Sequence, residues 1–177
     1  FTTGWTDFTA IRKTAAYAQD QLTTTHPIST DMIDIDTVKS NFDMISYAKG
    51  ASALQQLAAY CGRENFIKGL QNYFTKFAYK NTTLDDLITE LAATSGRDLK
   101  PWVATWIQTA GVNTLRSKLE VSGDAYTSIA IAQEAPKIPA GSKELRQHRL
   151  AVGLYDLKGS ELVRRRSIEL DVSGPLT

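Results

Sequence analysis

The period of the hydrophobic positions changes once along the chain, near residue 112. From Phe8 onward, Ile11, Ala15, Ala18 and Leu22 recur at spacings of three and four, which puts them on one stripe and predicts an amphipathic helix from about Trp5 to Gln21. The polar run Thr23-Thr24-Thr25-His26-Pro27-Ile28-Ser29-Thr30 follows. Pro27 disfavours helical dihedrals in the residue before it, so an extended connection reaching about Asn41 is expected. Ile45, Ala48, Ala51, Leu54, Leu57, Ala58 and Cys61 form a second helical stripe, closed by Gly62 where a left-handed cap would fit. Phe66, Leu70, Phe74 and Phe77 form a third with almost no loop before it, a pairing that predicts antiparallel packing of the two helices.

Thr82-Thr83-Leu84-Asp85 resembles a capping box, with Thr82 as the acceptor, ahead of Leu84, Leu87, Ile88 and Leu91. Gly96 should end that helix and Asp98 should cap the next. Leu99, Trp102, Val103, Trp106, Ile107 and Ala110 give this fifth helix a broad apolar face, Pro101 falls in its first turn, and Gly111 stops it. Beyond Gly111 the pattern alternates, through Leu115, Leu119 and Val121, then Ile129 and Ile131, then Leu150, Val152 and Leu154, then Ile168, Leu170 and Val172. Four short strands are expected, with turns at Ser122-Gly123-Asp124 and Lys158-Gly159 and a longer loop from Lys137 to Lys143. The predicted fold is an all-α bundle over residues 1–111 followed by a small antiparallel β-sandwich over residues 112–177. No repeat of fixed period is present, although successive helices leave a helical-repeat scaffold as an alternative.

Composition changes this picture only by exclusion. With 42% hydrophobic and 22% charged residues among 177, the chain is neither disordered nor collagen-like. Twenty Lys and Arg against nineteen Asp and Glu give a net charge of +1, so no nucleic-acid surface is advertised. No apolar run reaches the roughly 20 residues of a membrane-spanning helix, so no membrane partner is expected. Phe1-Thr2-Thr3-Gly4-Trp5 has no feature of a secretion signal. A lone Cys61 cannot form an internal disulfide, and a cytoplasmic location is the expectation. The absence of an initiator Met leads to the expectation that the chain was cut from a longer one.

The residues offer little chemistry by spacing alone. No H-E-x-x-H appears, and His26 and His148 lie 122 residues apart, so no metal site is expected within the chain. Cys61 sits on an apolar stripe without a neighbouring His and reads as a small core residue rather than a thiolate. Asp34-Ile35-Asp36 and Asp85-Asp86 read as caps or solvated charges rather than as an acid–base pair. Arg164-Arg165-Arg166 lies in a strand, where alternate side chains point to opposite faces. His26-Pro27 is either a buried turn or part of a pocket wall.

One segment is more specific. Phe42-Asp43-Met44-Ile45-Ser46-Tyr47-Ala48-Lys49-Gly50-Ala51 resembles the Y-x-K-G segment of zinc aminopeptidases of the aminopeptidase N type, gluzincins with an H-E-x-x-H site. Thr25-His26-Pro27-Ile28 is similar to the family's S/T-H-P-hydrophobic element. Tyr73 through Leu87 is similar to its Tyr-x5-Tyr-x-N-T-T-x-x-D-L stretch, Trp106 with Gly111 to its W-x4-G, and Arg149 to Tyr155 fits the sandwich that follows. The resemblance implies that residues 1–111 are the helical C-terminal half of a gluzincin catalytic domain.

It further implies that Tyr47 is a catalytic residue, donating a hydrogen bond to the oxyanion formed when zinc-bound water attacks the scissile carbonyl. A phenol suits that task because it is a neutral donor at neutral pH. The family's zinc ligands in H-E-x-x-H and a later glutamate, and its G-x-M-E-N strand, have no counterpart in this sequence. Zinc is therefore expected in the intact enzyme and not on this chain, which by itself should neither bind catalytic zinc nor hydrolyse peptides. The implied partners are a peptide substrate and the remaining domains of the same polypeptide. Two alternatives stay open: a helical scaffold plus β-sandwich acting as an interaction module without catalysis, and a catalytically dead relative of the peptidase.

Overall fold

The computed structural model describes residues 3–123 and 125–177. It is helical as far as Trp106 and stranded from Thr114. Of the expected turn Ser122-Gly123-Asp124, Asp124 lies outside the described residues. The first helical run comprises α1 (Gly4–Asp7), a π-helical segment (Phe8–Lys13) and α2 (Thr14–Gln19). Its expected apolar stripe is not buried. Ile11 and Leu22 face outward, while Ala16 and Asp20 are the positions turned inward. Each π turn holds more residues than an α turn, so a stripe drawn with a period of 3.6 drifts off the packed face.

The connection that follows is not wholly extended. It contains α3 (Ile35–Ser40), whose cap is Asp34 accepting from the Thr37 amide at 2.7 Å. A second π-helical segment (Ile45–Lys49) then leads into α4 (Gly50–Cys61). Buried positions here are Ile45, Ala48, Ala53, Leu57, Tyr60 and Cys61, and Leu54 is half exposed. The step of five between Ala48 and Ala53 is the π turn's mark on the buried face, and it moves the core off Ala51, Leu54 and Ala58.

Gly62 joins α4 directly to α5 (Arg63–Lys76), with ψ 130° rather than the left-handed helical cap expected of it. The main partner of α5 is α6 (Leu84–Ser95), not α4. Gly69 explains the closeness: a Cβ there would lie 2.7 Å from Thr94 Oγ1 and 2.8 Å from Leu91 Cδ2. The capping box at the start of α6 is one residue later than expected, with Thr83 as cap and Asp86 returning the bond to the Thr83 amide at 2.8 Å. Gly96 ends α6 in the left-handed conformation. Asp98 accepts from the Lys100 amide at 3.1 Å, and α7 (Lys100–Trp106) stops well before Gly111. The helical core gathers Leu57, Cys61, Leu91, Leu99 and Trp102. Cys61 is a core residue, and burial pushes its thiol pKa up.

Strands β1 (Thr114–Ser122) and β2 (Ala125–Glu134) form one antiparallel pair, with Leu119 opposite Ile129. Strands β3 (His148–Lys158) and β4 (Glu161–Val172) form another, with Val152 opposite Ile168. The C-terminal tail ties them together, because Thr177 and Ile131 exchange both backbone hydrogen bonds, at 3.0 and 2.8 Å. Arg164, Arg165 and Arg166 are exposed. No helix among the described residues is long and apolar enough to cross a membrane.

Candidate functional site

Tyr47 occupies the middle of the π-helical segment Ile45–Lys49 and is 55% exposed. Its ring meets Phe42 edge to face, with centroids 5.1 Å apart. Around it the backbone is anchored by side chains that are themselves largely buried. Asp43 Oδ1 accepts from the amides of Ile45 (2.9 Å) and Ser46 (3.0 Å), and Gln19 Oε1 accepts from the Met44 amide at 3.1 Å. A carboxylate at this end also meets the positive pole of the helix. Asp43 Oδ2 accepts from His26 Nε2 at 2.9 Å and from Gln19 Nε2. His26 Nδ1 lies 2.7 Å from the Pro27 carbonyl. His26 is thus a partly buried bracket, a role its sequence context left between turn and pocket wall.

At the other end of the segment, the Lys49 ammonium lies 2.7 Å from Asp20 Oδ2 and donates to the Gly111 carbonyl at 3.0 Å. Asp20 Oδ1 in turn accepts from the Gly111 amide at 3.2 Å and from Thr25 Oγ1 at 2.6 Å. Burial lowers the Lys49 pKa, with the Asp20 carboxylate opposing that shift. Gly111 carries φ 77° and sits against the Ile138 carbonyl, where a Cβ would come within 2.1 Å of the oxygen. Only glycine meets both demands.

The strands are fixed to the helices by a second polar set. Arg146, 2% exposed, donates to the carbonyls of Thr105 (2.8 Å) and Ala110 (3.2 Å) and to Asn113 Oδ1 (2.7 Å). Trp106 Nε1 donates to the Gln147 carbonyl at 2.7 Å, and the Arg149 amide to Gln56 Oε1 at 2.6 Å. His148 Nε2 is 2.9 Å from Gln133 Oε1; because Gln133 Nε2 donates to the Gly174 carbonyl, that oxygen accepts and the imidazole carries its proton on Nε2. Burial, aided by the Arg146 charge, pulls the His148 pKa down to about 4. A cavity of about 370 Å³ runs along this junction past Asp20, Lys49, Trp106, Asn113, Arg146 and His148. Tyr47 does not line it.

Among the described residues no three His, Cys, Asp or Glu side chains converge as a metal-holding group. His26 and His148 are each engaged in separate hydrogen-bonded sets. The described residues therefore offer no ligand set for the zinc that the resemblance assigns to the intact enzyme. The carboxylates singled out in the sequence have other uses: Asp34 caps α3, Asp86 closes the capping box of Thr83, and the backbone amides they accept from lower their pKa values. Sequence reasoning missed Gln19, Asp20, Asp43 and Arg146, which are scattered along the chain and gain meaning only through the contacts they make.

A sequence model described as the peptidase family M1 domain matches residues 2–106. An aminopeptidase N of Streptomyces lividans is 55% identical over 98% of this chain and 21% of its own length. A leucyl aminopeptidase of Saccharolobus solfataricus is 40% identical over 67% of the chain and 15% of its own length. The mitochondrial aminopeptidase 2 of Saccharomyces cerevisiae is 36% identical over 73% of the chain and 13% of its own length. The chain thus spans about a fifth or less of these relatives.

Proposed function

The chain belongs to peptidase family M1, and from that premise we propose that it is part of a zinc-dependent aminopeptidase that releases N-terminal residues from peptides. Tyr47 is the catalytic residue this segment contributes. Its phenol donates a hydrogen bond to the oxygen that becomes negative as the scissile carbonyl turns tetrahedral, a contact stronger in the transition state than in the substrate. The observation that carries the reading is a half-exposed phenol on a turn whose backbone is held at both ends by buried polar groups. Such a donor is preorganised, so little reorganisation is needed when charge develops. Zinc would be held by residues outside this chain, as would the substrate's amino terminus.

The same proposal takes residues 1–111 as the helical part of the catalytic domain and residues 112–177 as a β-sandwich domain. Two separate antiparallel pairs, with Ile131 and Val172 buried between strands and tail, support the sandwich. The remaining domains of the same polypeptide are its partners, and a cytoplasmic location is consistent with the single buried thiol of Cys61.

The test is Tyr47→Phe in the full-length enzyme, assayed on a chromogenic aminoacyl anilide. The kcat should fall by about 100- to 1000-fold, the cost of removing one oxyanion donor, while KM changes little. An unchanged kcat would refute the role. The 177-residue chain alone should release no N-terminal residue and show no one-to-one high-affinity zinc uptake by titration.

A further inference from the structure

We infer that His26 is a positioning residue for the reaction, acting through Asp43 on the turn that carries Tyr47; this rests on the catalytic reading of Tyr47. The geometry has three parts. Asp43 uses one carboxylate oxygen for the Ile45 and Ser46 amides, the two residues before Tyr47. Its other oxygen takes His26 Nε2 at 2.9 Å and Gln19 Nε2, so the carboxylate is fixed from both sides and cannot rotate away from those amides without breaking contacts. His26 is itself fixed, by the contact of its Nδ1 with the Pro27 carbonyl at 2.7 Å and by the run of chain that follows. In that run, Ile28 reaches Gly50 on the far side of the turn and the Ser29 amide donates to the Ile107 carbonyl at 2.9 Å. The side chains of His26 and Asp43 are only 16% and 13% exposed, whereas Tyr47 is open.

The consequence is a chain of constraint from residues 26–29 through one carboxylate to the backbone at Ile45 and Ser46. A catalytic donor displaced by about 1 Å can lose on the order of a hundredfold in rate even when the fold is intact. Loss of the His26 ring frees one side of the Asp43 carboxylate and lets the turn adopt other positions. Substrate binding, which does not depend on the Tyr47 hydroxyl in the ground state, should be spared.

The experiment uses the full-length enzyme and a chromogenic aminoacyl anilide. His26→Ala should lower kcat about 30- to 100-fold with KM within about twofold, and His26→Gln, which keeps a donor toward Asp43, should recover kcat to within about fivefold of the parent. In a Tyr47→Phe background, His26→Ala should cost less than about twofold more, because the group it positions is gone. A full loss in that background, or an unchanged kcat for His26→Ala alone, would overturn the positioning role while leaving Tyr47 in place. An unchanged kcat for Tyr47→Phe alone would overturn the catalytic reading, and this inference with it. Should His26→Ala not fold, Asp43→Asn takes its place with the same expected split, since its amide keeps an acceptor for the turn but turns a donor toward His26 and Gln19.

Discussion

Acidification from pH 7 to pH 4.5 should loosen the junction between helices and strands through His148. In the folded chain this imidazole is 9% exposed, gives its Nε2 proton to Gln133 and lies edge-on to Trp106 at 5.0 Å. Its pKa there is about 4, against an ordinary 6.5. Between those values the unfolded chain binds a proton that the folded chain refuses, so stability is present above pH 6.5 and falls as the pH falls toward 4. At pH 4.5 the unfolded imidazole is almost fully charged and the folded one mostly neutral, and the difference amounts to about 2–3 kcal/mol. Asp34, Asp86 and Asp171, whose carboxyls are held below the usual range by their hydrogen bonds, leave this window clear, because the stability they contribute is lost only as the pH falls below about 4. The assay is urea unfolding followed by tryptophan fluorescence, since Trp102 and Trp106 stack within the structure. The parent should lose about 2–3 kcal/mol between pH 7 and 4.5, and His148→Gln, which cannot ionise, should lose far less. Equal losses in both proteins would show that the proton is taken up elsewhere and would refute the argument.

Two further substitutions test the buried scaffold. Lys49→Met leaves the Asp20 carboxylate, 1% exposed, without its cation and should cost about 3–5 kcal/mol in urea unfolding; the double variant Asp20→Leu with Lys49→Met should recover most of it, and a cost below about 1 kcal/mol for the single change would show that the pair is not a structural charge pair. Gly111→Ala combines a positive φ with a Cβ 2.1 Å from the Ile138 carbonyl and should cost at least about 3 kcal/mol, read as a lower unfolding midpoint; an unchanged midpoint would show that the loop from residue 136 to 139 yields freely.

The order of elements and all four strands were legible because alternation with a period of two is unmistakable beyond Gly111 and the helical stripes before it are strong. What the stripes could not show was phase. Drawn with a constant period they placed Leu54 and Ile11 in the core, whereas both are exposed because each helical run contains a π segment whose longer turns rotate everything after it. Periodicity also passed over α3, since only 6 residues, fewer than two turns, follow its Asp34 cap. At the site, Tyr47 stood out through the motif around it. Its supports did not, because Gln19, Asp20 and Asp43 are ordinary polar residues until tertiary packing brings them together.

Those supports have a common origin. Gln19 and Asp20 are consecutive residues at the end of α2, yet Gln19 holds Met44 and Asp43 at the start of the Tyr47 segment, and Asp20 holds Lys49 at its end. Two adjacent side chains can grip both ends only if the segment between them presents Asp43 and Lys49 in a fixed angular relation. The π turn sets that relation: each residue of an ordinary α-helix advances by roughly 100°, so tightening the turn by one residue would swing Lys49 away from the buried Asp20 carboxylate. The electrostatic cost of stranding Asp20 opposes this rearrangement, and the buried ion pair thereby holds Tyr47 in the π register. The Lys49 contact to Gly111 extends the same constraint to the residues entering β1. The stability of the helix–strand junction and the placement of the Tyr47 phenol are on this account one problem, joined by the buried Lys49 two residues after the tyrosine.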